Sequence, residues 1–306
     1  MTIAGDPPDR PIQPTPPTGL AIWWLAIRPK ILPASITPIV VGSAVAIAED
    51  GFHLLTAIVA LLVAMALQIT SNLANDLFDF KKGADANRVG PMRITQSGLA
   101  TPRQMGVAVG VAVACSLAGG IYLVYRGGWL MLVIGLLAIL AALAYTGGPY
   151  PLGYNGLGDP AVFIFFGLVG VAGSAYVQTG DLTWLAILCA VPIGCLAVAI
   201  IVANNLRDIE TDRAAGKRTL AVFLGRERTI LEFAGLIGVA YLIPPLLWLG
   251  GQIGAWWLLT LLSLPLAVPL VARARTATGR ELVPVLIGTS RLIFVYGALF
   301  ALGIAL

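Results

Sequence analysis

Four side chains in the first third of the chain have a spacing that suits metal chemistry. Asn72, Asn75, Asp76 and Asp79 stand at i, i+3, i+4 and i+7, so a helix continuing through them gathers all four on one face. A second set, Asn204, Asp208 and Asp212, recurs at intervals of four. Both sets are flanked by cations: Lys81, Lys82, Arg88 and Arg93 beside the first, Arg207, Lys217 and Arg218 beside the second. Oxygen donors with no histidine or cysteine among them suit a hard cation such as Mg²⁺. Magnesium keeps several waters and is held through one or two carboxylates plus substrate phosphates. The cations can take the remaining phosphate oxygens. This is the arrangement expected of a magnesium-diphosphate site. The plainer reading is that helix-end charges pair with one another in a loop, and a second copy of the pattern weighs against it.

The elements that position these residues are membrane helices. The chain has 306 residues, of which 58% are hydrophobic and 11% charged, where about 25% charged is usual for a soluble domain. That composition excludes a soluble enzyme with a polar shell, a disordered chain and a nucleic-acid binder. Apolar runs predict helices over 31–48, 54–78, 105–125, 129–146, 160–177, 183–205, 229–249, 254–272 and 283–305. The expected fold is an all-α, polytopic bundle of about nine spans. Residues 1–19 carry six prolines and read as a disordered tail, leaving 20–306 as a single transmembrane domain. Trp23 and Trp24 suit an interfacial lead-in to the first span. Cys115, Cys189 and Cys195 lie in apolar runs and read as small buried hydrophobes.

Of the 19 Lys and Arg residues, 17 fall before span 1 or after spans 2, 6 and 8. By the positive-inside rule that side is cytoplasmic, as is the N-terminus, and the protein sits in the cell membrane with its active site on the cytoplasmic side. Both acid clusters end their spans there and run into the two longest polar loops, 79–104 and 206–228, so the chain reads as two related halves. Four aspartates facing lipid would cost on the order of 10 kcal/mol, so they must face a wet cavity or be neutralised. A secondary transporter would instead place its polar residues near the midplane, on broken helices.

The motifs resemble those of the UbiA superfamily of intramembrane prenyltransferases, NDxxDxxxD and DxxxD. Asn75 to Asp79 matches the first five positions, and Asp208 to Asp212 matches the second motif in full. Position 83 is glycine, the next acid being Asp85, and the family's YxxxK element reads Tyr150-Pro-Leu-Gly-Tyr154. These departures, with the stretches 88–98, 145–159 and 203–220, resemble the branch that uses 1,4-dihydroxy-2-naphthoate. The resemblance implies Mg²⁺-dependent transfer of a polyprenyl group from its diphosphate to that acceptor, with loss of CO₂ and pyrophosphate, giving demethylmenaquinone. Phytyl transfer, or another aromatic acceptor such as hydroxybenzoate or homogentisate, is the alternative. Asp76, Asp79, Asp208 and Asp212 are then catalytic and, with Asn75, hold two Mg²⁺ ions directly or through water. Asn72 and Asn204 are further carbonyl ligands or donors to the ligands. The expected substrate contacts are Asn72, Lys81, Arg88, Arg93, Tyr145, Tyr150, Tyr154, Asn204, Arg207, Lys217 and Arg218. Phe78, Tyr145 and Tyr150 are candidates to shelter an allylic cation. The base stays open among Asp79, Asp85 and Asp159. Residues 147–158, rich in glycine, read first as a tight inter-helix turn, with a cover over the acceptor as the alternative.

Overall fold

The fold, described for residues 17–84, 90 and 92–306 in a computed structural model, contains only helices and turns among those residues. Helix α1 (Leu20–Ile27) leads through a 3₁₀ turn into α2 (Pro33–Ala48). Then come α3 (Leu54–Lys81), α4 (Pro102–Ala144), α5 (Gly158–Thr179), α6 (Trp184–Ala214), α7 (Leu220–Leu249), α8 (Ala255–Thr276) and α9 (Gly279–Ala305). The last seven are long and apolar enough to cross a bilayer, and the α1–α2 pair, bent by 53°, makes eight among the described residues. The ninth expected span is inside α4. Its 43 residues would extend roughly 65 Å, about twice the apolar thickness of a bilayer. Gly128, at φ 65° and ψ −158°, breaks it into two limbs that match the expected spans 105–125 and 129–146.

Local chemistry sets where the helices begin. The Thr101, Thr183 and Thr219 hydroxyls accept the N–H of Gln104, Ala186 and Val222 at 3.2, 3.2 and 3.3 Å, closing the first turns of α4, α6 and α7. The Gln104 side chain in turn accepts the Thr101 N–H at 2.8 Å, completing a capping box.

Helix α6 is the centre of the bundle: 72% of its apolar stretch is buried, against 17% in α3 and in α4. It packs on α5 without side chains between them at one point. A Cβ on Gly167 would come within 2.8 Å of the Gly194 Cα, so only glycine permits that approach. Along this contact α5 widens into π-helical turns over Phe163–Gly173. A smaller apolar core of Leu73, Leu77, Ile94 and Met105 ties the loop before α4 to α3.

Two expectations change. Helices α3 and α6 run on to Lys81 and Ala214, past the predicted 78 and 205, which makes both acid clusters helical. Cys115 is exposed on α4, whereas Cys189 and Cys195 are buried; an apolar run in a membrane bundle has a lipid face as well as a core face. The expected tail lies outside the described residues, apart from its last three.

Candidate active site

Both acid helices stop by the same device. Gly83 and Gly216 adopt φ of 68° and 72°, each four residues after the last aspartate of its cluster. After α3, the Gly83 and Ala84 N–H groups bond the carbonyls of Phe80 and Asp79. After α6, the Gly216 and Lys217 N–H groups bond those of Arg213 and Asp212. This paired return is a Schellman ending, which wants glycine in the left-handed region. It gives position 83 a physical reason to be glycine where the family motif carries its last aspartate.

At the end of α3, Asp76 accepts the backbone N–H of Ile94 and Thr95, both at 2.9 Å. That anchors the turns at 93–99 and aims Arg93 at Asp79, Nη2 to Oδ2 at 2.7 Å. Asp79 is 1% exposed and is the hub of the site. Its Oδ1 also accepts the Tyr154 hydroxyl at 2.5 Å and faces the Lys217 ammonium at 3.5 Å. Asn75 accepts from the Thr146 hydroxyl at 2.8 Å. Asn72 donates to the Ile27 carbonyl at 2.9 Å, fastening α1 to α3.

At the end of α6, Arg207 grips Asp208 with two parallel bonds, Nε to Oδ1 at 2.7 Å and Nη2 to Oδ2 at 2.5 Å. The same Nη2 reaches Asn204 Oδ1 at 2.9 Å. Arg207 Nη1 is buried with no partner, an N–H donor open to a ligand. The two clusters meet at Lys217, whose ammonium lies 3.5 Å from Asp79 and 3.7 Å from Asp212.

The glycine-rich turn between α4 and α5 folds over this junction. The Gly153 N–H bonds the Tyr145 carbonyl at 2.9 Å, and the Arg218 N–H bonds the Tyr154 carbonyl at 2.8 Å. Tyr154 holds Lys82 and Lys217 over its ring, 4.7 and 4.6 Å from the centroid. Lys82 also donates to the Thr146 carbonyl at 2.7 Å. Burial lowers its pKa from the ordinary lysine value, against the opposing charge of Asp79, and Lys217 adds to the lowering. Burial raises the Tyr145 phenol well above the tyrosine range, with the charges of Asp159, Asp212 and Asp79 adding to it, so this hydroxyl remains protonated. Tyr145 lines an apolar chamber of about 350 Å³ among α2, α3, α4 and α5, whose wall also includes Pro38, Leu67, Leu132, Phe165 and Phe166.

Residues 35–285 match the model of the UbiA prenyltransferase family. The chain belongs to this family. A 1,4-dihydroxy-2-naphthoate octaprenyltransferase of Mycobacterium tuberculosis is 40% identical over 277 residues, 90% of this chain and 94% of that one. One of the same description from Escherichia coli is 40% identical over 270 residues, 86% of each chain. Among solved structures, a UbiA homologue from Aeropyrum pernix overlays with a TM-score of 0.69 at 18% identity, covering 89% of this chain and 98% of the other. One from Archaeoglobus fulgidus, bound to DMAPP and Mg²⁺, overlays at 0.66 and 18% identity, covering 91% and 98%. The protein is an integral membrane prenyltransferase.

Most of the site residues anticipated for this prenyltransferase converge, but not as a bare carboxylate cage. Among the described residues no three acids, histidines or cysteines form a metal-sized group; cations stand between the acids instead. Arg88 and Asp85 lie outside the described residues. Lys81 is exposed, 6.0 Å from the Phe78 ring. Tyr150 is 62% exposed, and Arg218 contributes its backbone N–H from an exposed position. In the sequence, Tyr154 stands out only through the YxxxK comparison; the structure supplies lysines to it from two other segments. Glu232, within α7, belongs to neither motif and is not among the anticipated residues. A lone acid inside an apolar run is the signal that marks it.

Proposed function

We propose that this prenyltransferase transfers a polyprenyl group from its diphosphate to 1,4-dihydroxy-2-naphthoate, releasing pyrophosphate and CO₂ and leaving demethylmenaquinone in its reduced form. The observation that carries this is Lys217 between Asp79 and Asp212. It brings the acid ends of α3 and α6 to one place, within reach of Tyr145, which lines the apolar chamber. The acceptor follows from the curated relatives at 40% identity, and the donor class from the fold relative bound to DMAPP and Mg²⁺.

The donor set fits magnesium. Asn75, Asp79, Asp208 and Asp212 supply only oxygens, and Asp76 keeps lone pairs beyond its two backbone bonds. Two ions held by these residues would neutralise the charge that grows on the leaving diphosphate. The chain's own cations work toward the same end. Arg93, Arg207 and Lys217 neutralise the acids in the absence of substrate, and each offers N–H groups to phosphate oxygens. Arg207 Nη1 has a donor free for this role. The apolar chamber takes the isoprenoid tail and keeps water from the allylic carbon. The π faces of Tyr145, Phe165 and Phe166 suit a passing cation. We place the acid face on the cytoplasmic side from the distribution of Lys and Arg.

The test is incubation of purified protein with a labelled polyprenyl diphosphate and a panel of aromatic acceptors, with Mg²⁺ and with EDTA. Prenylated, decarboxylated naphthoate that depends on Mg²⁺ is the expected result. Turnover of hydroxybenzoate or homogentisate in its place overturns the acceptor. Equal turnover in EDTA overturns the metal.

A further inference from the structure

Away from the metal-type acids, two further carboxylates, Asp159 and Glu232, bury oxygens inside the bundle. Asp159 is 6% exposed, and its Oδ1 is buried with no hydrogen-bond partner. Glu232 of α7 likewise buries Oε2 without a partner, and its charge is felt at Asp159. No described cation forms an ion pair with either. A buried carboxylate oxygen left unmatched is costly, and ionisable groups inside a membrane bundle mark functional sites by default. Both oxygens await a donor.

The surroundings say what kind. The Tyr145 hydroxyl touches Gly158, where a Cβ would come within 2.9 Å of it. Ala161 and Val162, two and three residues past Asp159, line the apolar chamber together with Tyr145. Tyr145 feels the charges of Asp159, Asp212 and Asp79 at once, and its hydroxyl reaches the residue before Asp159. A prenyl diphosphate with its tail in the chamber and its phosphates at Asp79 and Asp212 passes Tyr145. The nucleophile must approach the first carbon from elsewhere, and Asp159, with its unmatched oxygen, is the acid left to receive it.

We propose that Asp159, supported by Glu232, binds the aromatic acceptor through its phenolic hydroxyl. This rests on the prenyl-transfer reading above. Asp159 Oδ1 accepts the hydroxyl hydrogen and takes the proton as the O–H pair feeds into the ring. The ring carbon then bonds the first prenyl carbon while the bond from that carbon to the diphosphate oxygen breaks, its electrons leaving with pyrophosphate. With a carboxylated ring carbon, the bond to CO₂ breaks next and its pair restores the aromatic phenolate. Asp159 returns the proton to that oxygen, so no base is consumed. The negative charge of these acids favours a hydroxyl-first approach and repels an acceptor presented carboxylate-first.

The experiment compares full-length wild type, Asp159→Asn, Asp159→Glu and Glu232→Gln for binding of the naphthoate acceptor alone and for KM and kcat with each substrate. In Asp159→Asn, kcat/KM for the acceptor should fall about 100-fold or more. The KM for prenyl diphosphate should stay within about twofold, because that contact is elsewhere. Asp159→Glu should restore at least a tenth of the activity, since a carboxylate is again present, and Glu232→Gln should cost about tenfold in acceptor kcat/KM. Acceptor binding and kinetics unchanged in these variants would overturn the proposal, as would a KM rise shared by both substrates. If Asp159→Asn fails to fold, Glu232→Gln and Asp159→Glu decide the matter by the same two measurements. A wild type that prenylates a different phenol defeats the naphthoate reading alone, and the variants are then assayed on that phenol. A wild type that binds and prenylates no phenol defeats both.

Discussion

At the end of α3, Asp79 is held entirely from outside its own helix, by Arg93 from the following loop, Tyr154 from the turn before α5 and Lys217 from beyond α6. At the end of α6, Asp208 is held by Arg207, its neighbour on the same helix. The difference follows from where the cations stand in the chain. Both acid ends are buried, but α6 carries an arginine directly beside Asp208, whereas Arg93 and Lys217 reach Asp79 from other segments. The Asp208 pair is therefore preformed with its helix, and the Asp79 hub exists only when three separate segments have closed on it.

That contrast can be broken by mutation. Asp79→Asn removes the shared hub and should lower turnover by about 10³ (~4 kcal/mol), and Asp208→Asn by about 10² (~2.7 kcal/mol); steady-state assays giving equal losses would erase the distinction. Stability should rank the other way. Arg207→Ala strands a buried carboxylate and should cost about 3–5 kcal/mol, read as a large fall in the thermal unfolding midpoint in detergent. Arg93→Ala leaves Asp79 with Tyr154 and Lys217, and should cost about 1–3 kcal/mol; the reverse order would show that the loop, not the central helix, bears the structure.

Smaller effects sharpen the picture. Tyr154→Phe loses one hydrogen bond to Asp79 but keeps the ring under the two lysines, so activity should drop about tenfold (~1.4 kcal/mol), and Tyr154→Ala should cost more. The smallest effect is with pH. The Lys82 pKa is lowered by burial, so this cation is lost at a lower pH than an ordinary lysine as pH rises. The KM for prenyl diphosphate should then climb about threefold (~0.7 kcal/mol) toward alkaline pH. Lys82→Arg, which keeps its charge, should flatten that rise; a profile identical in the variant would remove Lys82 from diphosphate binding.

Much of this is legible in the sequence because membrane helices leave strong marks. Uninterrupted apolar runs show the spans, and acids at intervals of three and four show a shared face. What stays hidden is pairing between distant segments. Tyr154 on Asp79 joins residues 75 positions apart, and Lys217 on Asp79 joins residues 138 apart. Nothing local distinguishes Lys217 from its neighbour Arg218, yet the Schellman return at Gly216 turns one toward the acids and leaves the other exposed. Asp76 reads as one more metal ligand, and only the contact with Ile94 and Thr95 reveals that it also anchors a loop.

The order of residues along the chain determined that this protein is a helical membrane bundle with two oxygen-rich helix ends, since those properties depend on composition and on the 3.6-residue period alone. Which cation neutralises which acid, and that Asp159 and Glu232 bury oxygens without a partner, was decided only by the packing of the helices. The physical reason is range. Hydrogen bonds and ion pairs act over a few ångströms, so their partners are chosen by the folded backbone rather than by nearness in sequence.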